Sequence, residues 1–127
     1  EMQGAGFIFI HSGATWTQQA MLNAPEASVS LWGDTATLSP NGNLALIEDG
    51  YTFDRHDDAW TPGPRLLPDD SASGFGSSVA LSGNGGTGLI GANYATIGEN
   101  QKQGAAYFFD IDFLRMTNHL FLPLIIR

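Results

Sequence analysis

The chain has no cysteine, which excludes disulfide frameworks, thiolate zinc sites and cysteine nucleophiles. Charge is also scarce: 14% of the 127 residues are charged, against about 25% in an average globular domain. Basic residues are the scarcer sign, five against 13 acidic, for a net charge of −8. Such a field repels phosphate backbones and anionic lipid, so neither nucleic acid nor a membrane surface is expected as a partner. No apolar run approaches the ~20 residues of a spanning helix; Leu120-Phe121-Leu122-Pro123-Leu124-Ile125-Ile126 is much shorter. The opening Glu1-Met2-Gln3 shows no basic stretch ahead of a long apolar segment, so no secretory signal is legible. No Asn-x-Ser/Thr acceptor occurs. No window of twelve carries a sustained apolar stripe at helical spacing.

What is present is a repeat. Phe9 and Phe53 lie 44 residues apart, as do Trp16 and Trp60. Each pair frames a short apolar run, a polar turn and Trp-Thr. A second block follows at a spacing of 43: Trp32-Gly33 with Phe75-Gly76, Leu38-Ser39 with Leu81-Ser82, Asn41-Gly42 with Asn84-Gly85, and Leu46-Ile47 with Leu89-Ile90. A third partial copy opens at Gly104-Ala105-Ala106-Tyr107-Phe108-Phe109, matching Gly4-Ala5-Gly6-Phe7-Ile8-Phe9 at a shift of 100. Self-similarity in this order marks a repeat architecture.

Within each copy the local period is two. Phe75, Val79 and Leu81 alternate with Ser78, Ala80 and Ser82, the pattern of a half-buried strand. Turn signals recur at Pro40-Asn41-Gly42, Asp57-Asp58, Pro62-Gly63-Pro64 and Gly83-Asn84-Gly85-Gly86, and Asn-Gly between β-prone runs is a strong hairpin cue. The chain reads as all-β, with about nine or ten short strands. A period near 43 holding four strands suggests propeller blades. Strands are expected at 33–39, 44–48, 51–54 and 59–67, then at 77–82, 87–91 and 105–110. Residues 5–22 supply only the third and fourth strands of a first unit. The layout is thus about two and a half four-stranded antiparallel blades: a partial one over 4–22, one over 30–67 and one over 74–110, together residues 1–110, with 111–127 as a tail of undefined structure. Trp16 and Trp60 should occupy equivalent places.

At these residues the chain resembles the FG-GAP repeat family, the blade unit of integrin-like propellers and many bacterial surface proteins. Phe75-Gly76-Ser77-Ser78-Val79-Ala80-Leu81-Ser82-Gly83-Asn84-Gly85 looks like its opening block, Gly91-Ala92-Asn93 stands where the family has Gly-Ala-Pro, and Gly104–Phe109 looks like its third strand. Ala14–Leu22 is similar to the fourth strand common in bacterial members. The likeness spans Gly4 to Asp110. In the first full copy, however, Trp32 replaces Phe and Glu48-Asp49-Gly50 replaces Gly-Ala-Pro. After Asp110, Ile111-Asp112-Phe113-Leu114-Arg115 has no repeat counterpart. Many members carry an Asp-rich calcium loop between second and third strands. Here residues 93–103 hold one carboxylate, Glu99, and a lysine, Lys102. Calcium takes six to eight oxygens, so no metal is expected, and no cofactor. The resemblance implies a non-enzymatic binding or adhesion scaffold in an extracellular or cell-surface setting, leaving the ligand open.

Gly83-Asn84-Gly85-Gly86-Thr87-Gly88 fits Gly-x-Gly-x-x-Gly, but the strand-like Leu89-Ile90-Gly91 follows where a dinucleotide site needs a helix; a hairpin turn is expected. Asp54-Arg55-His56-Asp57-Asp58 is the densest titratable cluster and aligns with a hairpin turn, as solvated Asp-rich turns do. His11 and His119 lack companion ligands at metal spacing, and no Gly-x-Ser-x-Gly elbow frames a serine. The recurring aromatics fit inter-blade packing better than sugar stacking. Loops 23–28, 48–50, 67–73 and 93–103 should share one propeller face, where Asp69, Asp70, Tyr94 and Asn100 are the candidate ligand contacts. A carbohydrate-binding, lectin-like propeller is the alternative function.

Propellers close with about four to eight blades. Two and a half leave apolar faces and strand edges open to association. The chain can belong to a larger propeller, collapse into a small sandwich, or assemble with copies of itself. Self-association, with a trimer supplying six blades, is the leading expectation. In that scheme residues 5–22 complete a neighbour's blade begun at 77–91, in competition with residues 104–110 for the same slot.

Overall fold

The computed structural model describes residues 4–24, 33–117 and 124–126. Ten strands and one short helix follow in order: β1 (Ala5–Ser12), β2 (Thr15–Asn23), β3 (Ala36–Leu38), β4 (Leu44–Ile47), β5 (Tyr51–His56), β6 (Ala59–Pro62), β7 (Phe75–Leu81), β8 (Thr87–Ala92), β9 (Ala105–Asp110), α1 (Ile111–Thr117) and β10 (Leu124–Ile126). They form a two-stranded hairpin, β1-β2, and two four-stranded sheets, β3-β4-β5-β6 and β7-β8-β9-β10. All pairings are antiparallel between consecutive strands. The all-β reading therefore stands, residues 5–23 form a two-stranded hairpin, and the described residues form no closed ring.

The repeat is visible atom by atom in the turns joining first and second strands. Ser39 Oγ donates to Asn41 Oδ1 at 2.6 Å, and Ser82 Oγ to Asn84 Oδ1 at 2.8 Å. Each hydroxyl in turn accepts a backbone N–H, from Leu44 and from Thr87, both at 3.0 Å. Each Asn carboxamide oxygen accepts the N–H two residues on, from Asn43 at 3.0 Å and Gly86 at 2.9 Å. Short polar side chains that bond their own backbone two residues on favour such turns, which is why Ser-x-Asn-Gly recurs.

Two cores lie between the layers. Ile8 and Leu22 of the hairpin meet Ala45, Ile47, Tyr51 and Phe53. On the other face of the same sheet, Leu44 and Leu46 meet Leu66, Ile90, Tyr107, Phe109, Ile111 and Leu114. All four residues of β4 are buried, because a strand covered on both faces needs a continuous apolar run rather than alternation. Burial of one such side chain contributes roughly 1.5–3 kcal/mol.

The Phe75-Gly76 pair joins the two full sheets. Phe75 packs edge-on against Tyr107 and Phe109, with ring centroids 5.6 and 6.1 Å away. Gly76, at φ +93°, sits so close to the neighbouring sheet that a Cβ would lie 2.5 Å from Asp49 N. Its carbonyl accepts the Thr35 hydroxyl at 2.7 Å. The register slips between Phe75 and Ser78, so β7 begins at Phe75, earlier than the expected 77.

Other strand ends also differ. β6 stops at Pro62 rather than residue 67, since Pro62-Gly63-Pro64 removes ladder donors. β3 covers 36–38 instead of 33–39, because Gly33 and Asp34 give their N–H groups to Glu48 Oε2, both at 2.9 Å. The segment after Asp110 holds α1, started by Asp110 Oδ1 accepting Phe113 N–H at 2.9 Å, an N-cap contact. Ile111 and Leu114 fill the core. β10 then takes the fourth place beside β9. Within this chain, β9 and β10 hold the third and fourth places that residues 5–22 of another copy were expected to fill.

Trp16 and Trp60 do hold the same register, opposite His11 and Arg55, yet their surroundings differ. Trp60 is half-buried against the hairpin core, whereas Trp16 is 65% exposed and stacks on His11 with centroids 4.5 Å apart. Trp60 has a unit packed before it, and no described residue packs in the same way against Trp16.

Candidate functional site

Several of the loops at one end of the sheets touch their neighbours. Glu48 ties the 33–34 segment to the β4–β5 turn, Gly76 abuts Asp49, and Tyr94 N–H donates to Ser73 O at 3.2 Å. Residues 25–28 of the first loop lie outside the described residues. The β8–β9 loop is anchored: Ala95 is buried, its N–H donates to Ala92 O, and its carbonyl accepts Gly104 N–H at 3.0 Å. Ile97 and Asn100 exchange backbone bonds in both directions, at 3.0 and 2.9 Å.

The four candidate contacts separate in this setting. Tyr94 is 54% exposed and lines an open cleft of ≈ 420 Å³ with Ser73, Thr96, Gln101 and Lys102. Lys102 Nζ lies 5.9 Å from the centre of its ring, within cation–π range. Asn100 is exposed in the same loop, its backbone held by the Ile97 turn. Asp70 Oδ1 accepts the Tyr107 hydroxyl at 2.9 Å, so that oxygen caps a core tyrosine. Asp69 is exposed beside it. Lys102 was visible in the sequence only as a charge unfavourable to calcium; its placement over Tyr94 required the loop to fold.

In the β4–β5 turn, Asp49 adopts φ +58°. Burial first, and then the neighbouring Glu48 carboxylate, push its carboxyl above the usual range, while Arg65 pulls the other way. Arg65 lies 4.2 Å over the Tyr51 ring.

The opposite end carries a cleft of ≈ 360 Å³ bordered by Asn41, Asp54, His56, Asn84 and Arg115. Its charges are engaged in structure: Arg115 pairs with Asp54 and, at 3.6 Å, with Asp112, while Arg55 Nε donates to Asp57 O at 2.7 Å. Gly83–Gly86 forms the hairpin turn, and Thr87 and Gly88 already belong to β8. No group of three or more His, Cys, Asp or Glu side chains fit to hold a metal occurs among the described residues. No helix among them is long and apolar enough to cross a membrane. His119 lies outside the described residues.

Two four-stranded antiparallel meanders, packed against each other with a Phe-Gly pair at the joint and preceded by a hairpin, define an all-β protein of repeated sheets. Residues 60–109 match the FG-GAP repeat family, from the fourth strand of one sheet through the third strand of the next. No curated protein and no solved structure matches the chain.

Proposed function

We propose that this protein is a non-enzymatic interaction module of propeller-type blades that binds a macromolecular partner outside the cell or at its surface. The observation that carries this reading is the FG-GAP repeat at residues 60–109, set in stacked sheets whose connecting loops collect at one end. Rigid strands holding an anchored loop with an exposed aromatic suit recognition. The engagement of Asp54, Arg55 and Arg115 with one another's neighbours supports a structural rather than acid–base role for the densest titratable cluster.

Within that reading, Asp69, Asp70, Tyr94 and Asn100 are the proposed contact residues, and Lys102, over the Tyr94 ring, joins them. Self-association belongs to the same reading, supported by the exposed apolar side chains of Phe7, Phe9 and Met21 on the hairpin.

A photo-crosslinking residue at position 94 tests this. It should trap a partner from extracts or surfaces of the source organism, whereas the same residue at Gly83, on the other end and with open space around it, should not. Equal yields at both positions overturn the assignment. Saturable binding of one sugar class on a glycan array would move the function to the lectin-like alternative.

A further inference from the structure

Each unit presents two faces with different tasks. One face carries the third-strand aromatics: Tyr51 and Phe53 in the first full sheet, each 4% exposed, and Tyr107 and Phe109 in the second, each 1% exposed. The preceding unit covers them with its opposite face. Ile8 and Leu22 cover the first pair, and Leu44 and Leu46 cover the second. The hairpin holds the same aromatic positions as Phe7 and Phe9, yet these are 52% and 51% exposed. Met21, cross-strand from Phe7, is 53% exposed. At the other end, the outward face of the last sheet carries the cross-strand pair Leu89 and Phe108, both half-buried. Leu89 repeats Leu46, and Phe108 repeats Ile8; both counterparts are covering residues in the internal interfaces.

We propose that the Phe7–Phe9 face is a docking surface for a second copy of this chain, which seats its Leu89–Phe108 face there in a head-to-tail stack. The proposal rests on the interaction-module reading and names one surface and one occupant for it. The new joint continues the interface rule that the chain already uses twice. Because acceptor and donor are different patches, the contact is heterologous and propagates, closing into a ring where the rotation allows. The net charge of −8 per copy opposes approach, so association should tighten as salt screens it.

Sedimentation velocity across the micromolar range tests the stack. The wild type should rise from 13.6 kDa to multiples of that mass. An acceptor variant, Phe7→Ser with Phe9→Ser, and a donor variant, Phe108→Ser, should each stay monomeric. Mixed together they should form a heterodimer that grows no further, since each retains the patch the other lacks. Leu89→Ser serves as donor variant if Phe108→Ser loses its β-type circular dichroism. A monomeric wild type, association that survives both lesions, or a mixture without heterodimer overturns the proposal. Trapping of another partner at position 94 would then leave the interaction-module reading intact, whereas failure of that trapping counts against the reading and not against the stack.

Discussion

Trp60 donates its indole N–H to Gln19 Oε1 at 2.8 Å, joining β6 of the first full sheet to β2 of the hairpin. The same carboxamide donates through Nε2 to Asp58 Oδ1 at 3.2 Å, so Gln19 clasps the β5–β6 turn at Asp58 and the start of β6 at Trp60. Gln19→Leu leaves the half-buried indole N–H without this acceptor and should cost about 0.5–1.5 kcal/mol. Gln18→Leu, at an exposed position, should stay within ~0.5 kcal/mol. Urea midpoints of the two variants, measured at dilution, check the difference; equal midpoints would show that the clasp contributes nothing.

The twin turns should respond unequally. Ser39 is 3% exposed, so Ser39→Ala strands the buried Leu44 N–H and should cost about 1–3 kcal/mol. Ser82 makes the same bonds in a more exposed setting, where water replaces the lost acceptor, so Ser82→Ala should cost less than its counterpart. Thermal unfolding of the pair gives the ordering directly.

Gly50 tolerates no side chain. At φ +80° a Cβ would lie 1.9 Å from Leu66 O, and Leu66 N–H donates back to Gly50 O at 2.8 Å. Gly50→Ala should destabilise by more than ~3 kcal/mol or prevent folding. Gly83→Ala, with open space and no positive φ, should be near neutral. Soluble yield and circular dichroism distinguish the two.

Asp49 links stability to pH. Its carboxyl is raised above the ordinary 3.8 in the folded chain, first by burial and then by Glu48. Between the unfolded and folded values the native state holds the extra proton, so this group's contribution falls as pH rises through that window and stays unfavourable above it. Asp49→Asn should therefore raise the unfolding midpoint at neutral pH, with the gain shrinking as pH drops toward 3.8. Asparagine tolerates the left-handed φ found there. A gain of equal size at every pH would rule out the titration as its source.

The strands that could be placed from the sequence were those with local punctuation. β9 lies at the expected 105–110 because Gly104 and Asp110 bracket an unbroken β-prone run. β1 and β2 were legible through the second copy of the Phe–Trp frame. α1 was not, since its seven residues rely on Ile111 and Leu114 entering a core built by β4, β8 and β9. β10 likewise depends on pairing with β9. At the candidate site, Tyr94 was legible as a loop aromatic. The engagement of Asp70 by Tyr107 was not, because the two residues lie far apart in the chain and meet only after the sheet forms.

Turn chemistry and the repeat were written in the amino-acid order by itself, because hydrogen bonds such as Ser39 to Asn41 close within a few residues. Tertiary structure alone decided which aromatic faces are covered. Phe9, Phe53 and Phe109 occupy one position in three copies, and only the latter two have a unit packed in front of them. Burial is a property of neighbours, and a local sequence pattern does not specify them.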